Sequence, residues 1–259
     1  MKIENGLEIP TGPRREVRTH GRAVIAGAPV AYVAMLAAVI AGLSLIPFSV
    51  VLGTGGGTFP LSEALFALMG IVLGPGAGAV TVLVGRLIGV ALAPHTAGSG
   101  VLSACCAVIG PITSGTMCQP GNKWVAPWLI CTLCYAVYIG RALTLDVTLR
   151  LALVTTAANW LALLLWVSPL RGLAARWLRG PRLVTGLALI TYVSTNAVNI
   201  VNATVEYFRV GWPAQVWVVL APLVPLERLG LTVVGTFIGV GVIRGLRQVS
   251  LVKAENAGY

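Results

Sequence analysis

The chain has 259 residues, of which 57% are hydrophobic and only 10% charged, and its mean hydropathy is +0.88. A soluble domain carries roughly 25% charged residues to cover its surface, and disordered chains are poor in apolar residues, so both classes are excluded. The net charge of +10 sits between the apolar runs, where it reads as a topology signal and not as a nucleic-acid patch.

Residues 1–22 are polar and basic, with Arg14, Arg15, Arg18 and Arg22. They lack a cleavage site ahead of Ala23 and are expected to form a cytoplasmic tail. No Asp, Glu, Lys or Arg then occurs across residues 23–62, and further uncharged stretches cover 64–85, 87–122, 124–140, 151–170 and 183–205. A helix needs about 20 mostly apolar residues to cross the hydrocarbon core. Continuous apolar runs, without the alternation of a β-barrel, predict an all-α polytopic bundle of six to eight spans. The predicted spans are residues 23–47, 60–73, 76–93, 101–118, 124–140, 147–167, 183–206 and 226–243. A flexible glycine loop, Gly53 to Thr58, follows the first, and the Gly74-Pro75-Gly76-Ala77-Gly78 turn joins the second and third. The span from Pro60 is short, consistent with tilt or a re-entrant pair. Residues 211–225, with Trp212, Trp217, Pro222 and Pro225, read as an interfacial helix or plug, because tryptophans favour that depth and two prolines spoil a regular span. Residues 23–245 make one membrane domain, and residues 246–259 are expected as a second cytoplasmic tail.

An even count puts both termini on one side. With the N-terminus inside, inner segments hold 13 of the 18 basic residues, against Arg141, Arg150 and Arg209 outside and Arg86 and Arg228 within spans. The positive-inside rule therefore predicts both termini cytoplasmic.

Ionisable residues at membrane depth are functional candidates. Glu63 stands one turn into the second span, as a helix-start acid or a ligand contact. Tyr192, Asn196, Asn199, Asn202 and Glu206 fall on one face of the seventh span. A polar face turned to lipid is too costly, so it packs against other helices or lines a wet cavity, to which Asn159 and Trp160 would add. Glu227 and Arg228 open the last span, either neutralising one another or holding a charged ligand group, and Arg86 is a partner for Glu63 or a snorkelling side chain. Glu63, Asn199, Asn202, Glu206, Glu227, Arg228, His95 and the loop Gly53 to Phe59 map to the outer half and predict an outward-facing binding cavity. In the first span Ala34/Ala38 and Ala37/Ala41 have the small-xxx-small spacing of close helix packing, serving internal packing or a partner. Five cysteines, including Cys131 and Cys134 in a C-x-x-C pair, lie in apolar stretches and read as small packing residues, with a redox or metal pair at Cys131/Cys134 as the alternative.

No phosphate loop, zinc helix or nucleophile elbow is found in the sequence. With only His20 and His95, and Asp146 as the sole Asp, neither a metal or other cofactor nor an enzyme activity is expected.

The stretch Phe59-Pro60-Leu61-Ser62-Glu63-Ala64-Leu65-Phe66 through Gly74-Pro75-Gly76-Ala77-Gly78-Ala79-Val80 resembles the substrate-binding S components of energy-coupling factor transporters. So do the alanine-rich first helix and, more loosely, Pro225-Leu226-Glu227-Arg228 with its Gly-rich helix and basic tail. The chain differs from that pattern in having eight apolar segments where the family usually has about six, and in Arg86 where an acid is common. The resemblance implies capture of a vitamin or similar micronutrient from outside, with a membrane T component and two cytoplasmic ATPases as partners. It also implies docking of the T component on Ala34/Ala38 or Ala37/Ala41. The competing expectation is a sensory or scaffold module without a transported ligand.

Overall fold

A computed structural model describes residues 23–50, 58–96, 100–248 and 253–259. The basic tail with Arg14 to Arg22, the glycines of the 53–57 loop and residues 249–252 of the expected C-terminal tail lie outside the described residues.

The chain enters through a two-residue hairpin, β1 (Val24–Ile25) against β2 (Ala28–Pro29). Its turn residues Ala26 and Gly27 both have positive φ, 48° and 83°, as the tightest hairpin turn requires. Pro29 then marks the start of α1 (Val30–Leu43), and Pro47 opens strand β3 (Pro47–Val50), which pairs with β4 (Thr58–Pro60). The span predicted over 23–47 is thus cut at both ends to 14 helical residues. At 1.5 Å per residue that is about 21 Å, short of a hydrocarbon core of about 30 Å.

A 3-10 turn, Leu61–Leu65, leads into α2 (Phe66–Leu73), and α3 (Pro75–Leu92) follows directly. Gly74 makes this reversal with φ 85°, a region open to glycine, and Pro75 occupies the first turn of α3, where its missing N–H is harmless. The next span is two helices in line, α4 (Val101–Ala107) and α5 (Ile109–Cys118); Pro111 cannot bond back to the carbonyl four residues earlier, which is where the ladder breaks. Then come α6 (Val125–Leu143), α7 (Leu149–Thr155) and α8 (Ala157–Val167). The last two are bent by 68° at Thr156. An amphipathic helix, α9 (Leu170–Arg179), buries Ala174 and Leu178 and carries Arg171, Arg176 and Arg179. Two long helices finish the bundle, α10 (Leu183–Val210) and α11 (Ala214–Gln248), separated by Gly211 in the left-handed conformation that ends helices.

The helical bundle is as predicted. Among the described residues five helical segments, with α4–α5 as one, are long and apolar enough to cross a membrane, six with the bent pair α7–α8 as one; the segments expected as first and second spans are the short ones. Residues 214–225 correct the expectation of a separate interfacial helix or plug: they are continuous with the last span, in an α11 that runs for 35 residues through Pro222 and Pro225. Prolines are tolerated in membrane helices whose neighbours and local adjustments satisfy the freed carbonyls.

The core lies where α2, α5 and α10 meet, with Phe66, Met69, Ile71, Met117, Ile190, Val193 and Ile200 nearly inaccessible. The outer surface is the reverse of a soluble protein's: Phe237 is 83% exposed, Leu226 68% and Leu133 67%. An apolar exterior of this kind belongs in lipid.

Residues 253–259 do not hang free as a tail. The Glu255 amide donates to Gly27 O at 3.0 Å and the Gly258 amide to Ile71 O at 2.8 Å. Arg179 Nε donates to Gly258 O at 3.1 Å. The first and last described segments therefore meet at one end of the bundle.

Candidate functional site

The polar face of α10 turns inward, as the cost of exposing it to lipid demands. Thr191, Ser194, Thr195, Asn196, Asn199, Asn202 and Glu206 are all buried. Its lower part ties helices together. Ser194 Oγ donates to Gly110 O at 2.9 Å, the Tyr192 hydroxyl to Ala158 O at 3.1 Å, and Asn196 Nδ2 to Tyr192 O of its own helix at 2.9 Å. Asn199 Nδ2 donates across to Asn159 Oδ1 on α8 at 3.0 Å.

Beside it lies a buried row of charge. Arg228 Nη1 stands 3.2 Å from Glu63 Oε2, and Nη2 stands 3.1 Å from Glu227 Oε2. Nη1 also reaches Thr195 O at 3.4 Å. Glu227 and Arg228, adjacent at the start of the last predicted span, thus neither pair alone nor point outward: Arg228 bridges an acid from the 3-10 turn and one from its own helix. The close approach depends on Gly235, where a Cβ would fall 2.2 Å from Ala64 O. Arg86 is buried too, and donates to Ser44 Oγ at 3.3 Å and Ser103 Oγ at 3.2 Å.

Beside Arg228 a pocket is lined by Phe59, Tyr138, Thr155, Thr156, Asn159, Asn199, Glu206, Trp212 and Glu227, with Ala203, Leu220, Leu223 and Val224. Its free volume is about 40 Å³, room for roughly three waters. Of the residues predicted to bind a ligand, Phe59, Asn159, Asn199, Glu206 and Glu227 come together here. Glu63 and Arg228 stand behind Glu227. Trp160 points elsewhere, donating from Nε1 to Leu153 O at 3.1 Å, while Tyr192, Asn196 and Asn202 lie outside the pocket's wall.

Sequence reasoning missed Tyr138, Thr155, Thr156 and Trp212 as wall residues. The threonines hold the α7–α8 bend: Thr156 Oγ1 donates to Ala152 O at 2.7 Å, the back-bonding that bends helices, and Thr155 Oγ1 ties the bend to α11 by donating to Trp217 O at 3.0 Å. Tyr138 stacks on Trp217 with centroids 5.1 Å apart, and Tyr207 on Trp212 at 5.6 Å. Trp212 and Trp217 were legible as interface-seeking aromatics, but their pairing with Tyr138 and Tyr207 joins three helices' worth of sequence and has no local signal.

The predicted docking alanines divide. Ala37 and Ala41 are buried, on the side where a Cβ at Gly85 of α3 would fall 2.6 Å from Ala37 O. Ala34 and Ala38 face outward beside the exposed Met35 and Val39. Among the described residues no three His, Cys, Asp or Glu side chains gather in a metal-like cluster, and all five cysteines are free thiols.

No known protein family, no curated protein and no solved structure matches the chain.

Proposed function

We propose that this protein is a substrate-capture subunit of a membrane importer, binding a small polar nutrient in the pocket between α6, α8, α10 and α11. The observation that supports this is the pocket itself. Two carboxylates and two amides converge with aromatic side chains inside an apolar bundle, where each ionisable group is expensive to place and is functional by default. The pocket lies at the end of the bundle opposite the packed 253–259 segment: Glu206 is 23 residues along α10 from Leu183, or roughly 35 Å. With both termini cytoplasmic, as the basic residues favour, the pocket opens outward. The chain carries no phosphate loop, so uptake would draw on partner ATPases and a membrane coupling subunit, as in the importers whose S components it resembles. The outward face of α1 at Ala34 and Ala38 is the docking surface in this reading.

A second reading, a sensory or scaffold module without a transported ligand, is favoured by one observation. The free volume of about 40 Å³ is tight, and a vitamin-sized ligand requires side chains such as Phe59 or Trp212 to move. Native mass spectrometry of the gently purified full chain separates the two. The capture reading expects a bound small molecule that Asn199→Leu releases, and a chain that carries no small molecule in any preparation favours the module.

A further inference from the structure

Resting on the capture reading, we infer that the pocket takes a monovalent organic cation: a protonated amine or nitrogen heterocycle with an N–H donor and an apolar face. Three features carry this. First, Glu227 Oε2 is engaged by Arg228 at 3.1 Å, whereas Oε1 of the same carboxylate is buried with no hydrogen-bond partner among the described residues. Glu227 as a whole is 8% exposed and lines the pocket. A buried carboxylate oxygen without a donor is costly, and an ammonium N–H is the donor that best satisfies it. Second, the described pocket wall holds Glu206 and Glu227 and no Lys, Arg or His, and the Arg228 guanidinium beside it is already shared between Glu63 and Glu227, so an anion would meet the wall's like charge at short range in a low dielectric. Third, the wall adds the rings of Phe59, Tyr138 and Trp212, whose faces attract a desolvated cation. The Arg228 guanidinium already lies 5.8 Å from the Phe59 ring centroid, so this ring sits beside one cation before a ligand enters. The amides of Asn159 and Asn199, bonded to each other, would supply orientation and not charge.

The test uses the full chain in lipid nanodiscs at pH 7 and three probes of similar shape: benzylammonium, benzyl alcohol and benzoate. Saturation binding and the unfolding midpoint are read for each. Benzylammonium is expected to bind saturably and raise the midpoint, since a ligand selective for the folded state stabilises it. Glu227→Gln, which leaves Arg228 paired with Glu63, should weaken that binding about tenfold or more, the scale of a hydrogen bond to a charged group. Phe59→Leu, a variant that leaves every ionic contact in place, should weaken it about threefold or more. Equal or tighter binding of benzyl alcohol or benzoate, or unchanged binding in both variants, overturns the inference. A co-purifying neutral or anionic molecule released by Asn199→Leu would overturn the cation while keeping the capture function. Failure of all three probes together with no co-purifying molecule overturns both.

Discussion

Arg228 is 1% exposed and answers two carboxylates that are themselves buried, Glu63 at 4% and Glu227 at 8%. Desolvating such groups costs several kcal/mol each, so the arrangement is poor evidence of stabilisation and better evidence of a constrained site. Its loss is nonetheless severe. Arg228→Met should destabilise the protein by about 3–5 kcal/mol, because two buried carboxylates lose their shared partner. Adding Glu63→Gln should recover part of that by removing one stranded charge. Thermal unfolding of purified single and double variants checks both statements; a single variant as stable as the parent would show that the row is wetter than its burial indicates. At this scale the sequence spoke clearly about which residues matter and poorly about who meets whom. Glu63, Glu206, Glu227 and Arg228 stood out because charge is so scarce. The bridge from Glu63 to Arg228 spans 165 positions and rests on no local pattern.

Among the elements, α1 carries two alanine faces with the same spacing and different fates. Ala37 is 3% exposed against α3, while Ala38 faces away from the bundle. Ala37→Leu should therefore overpack the α1–α3 contact and cost about 1–3 kcal/mol. Ala38→Leu should leave stability within about 0.5 kcal/mol, as surface substitutions do, and, on the proposed capture reading, should abolish nutrient uptake by cells that contain the coupling partners. Unfolding midpoints and an uptake assay on the two variants make the comparison; normal uptake by Ala38→Leu would count against docking on this face. Small-xxx-small spacing alone could not separate these faces, because both repeat every four residues. Only the position of α3 assigns one to the inside. The same limit explains α11: Pro222 and Pro225 weaken any local case for a helix through 211–225, and its continuity comes from packing between Trp217, Tyr138 and Tyr207.

For the molecule as a whole, the two ends of the bundle are distinguishable. One holds the hairpin 24–29, the 253–259 segment and α9; the other holds the pocket and the α10–α11 connection. In a cysteine-free background, single cysteines replacing the exposed Arg176 and Arg209 should label from opposite sides of the membrane. With both termini cytoplasmic, a membrane-impermeant thiol reagent applied to intact cells should reach the second and not the first. Labelling of the first alone would invert the topology and with it the direction of capture.

Composition by itself determined the solvent, the helical class and the short inventory of polar groups that must be hidden, because burying polar backbone in lipid leaves a chain few alternatives. It also showed that the face of α10 from Tyr192 to Glu206 could not point to lipid. Tertiary structure decided the rest: that Asn199 and Glu206 line a pocket while Asn196 bonds within its own helix, that Arg228 joins two acids, and that Thr155, Thr156, Tyr138 and Trp212 complete the wall. Hydrophobic patterning reports a helix's distance from water and carries no record of its rotation or neighbours, which are settled by close packing between segments far apart in the chain.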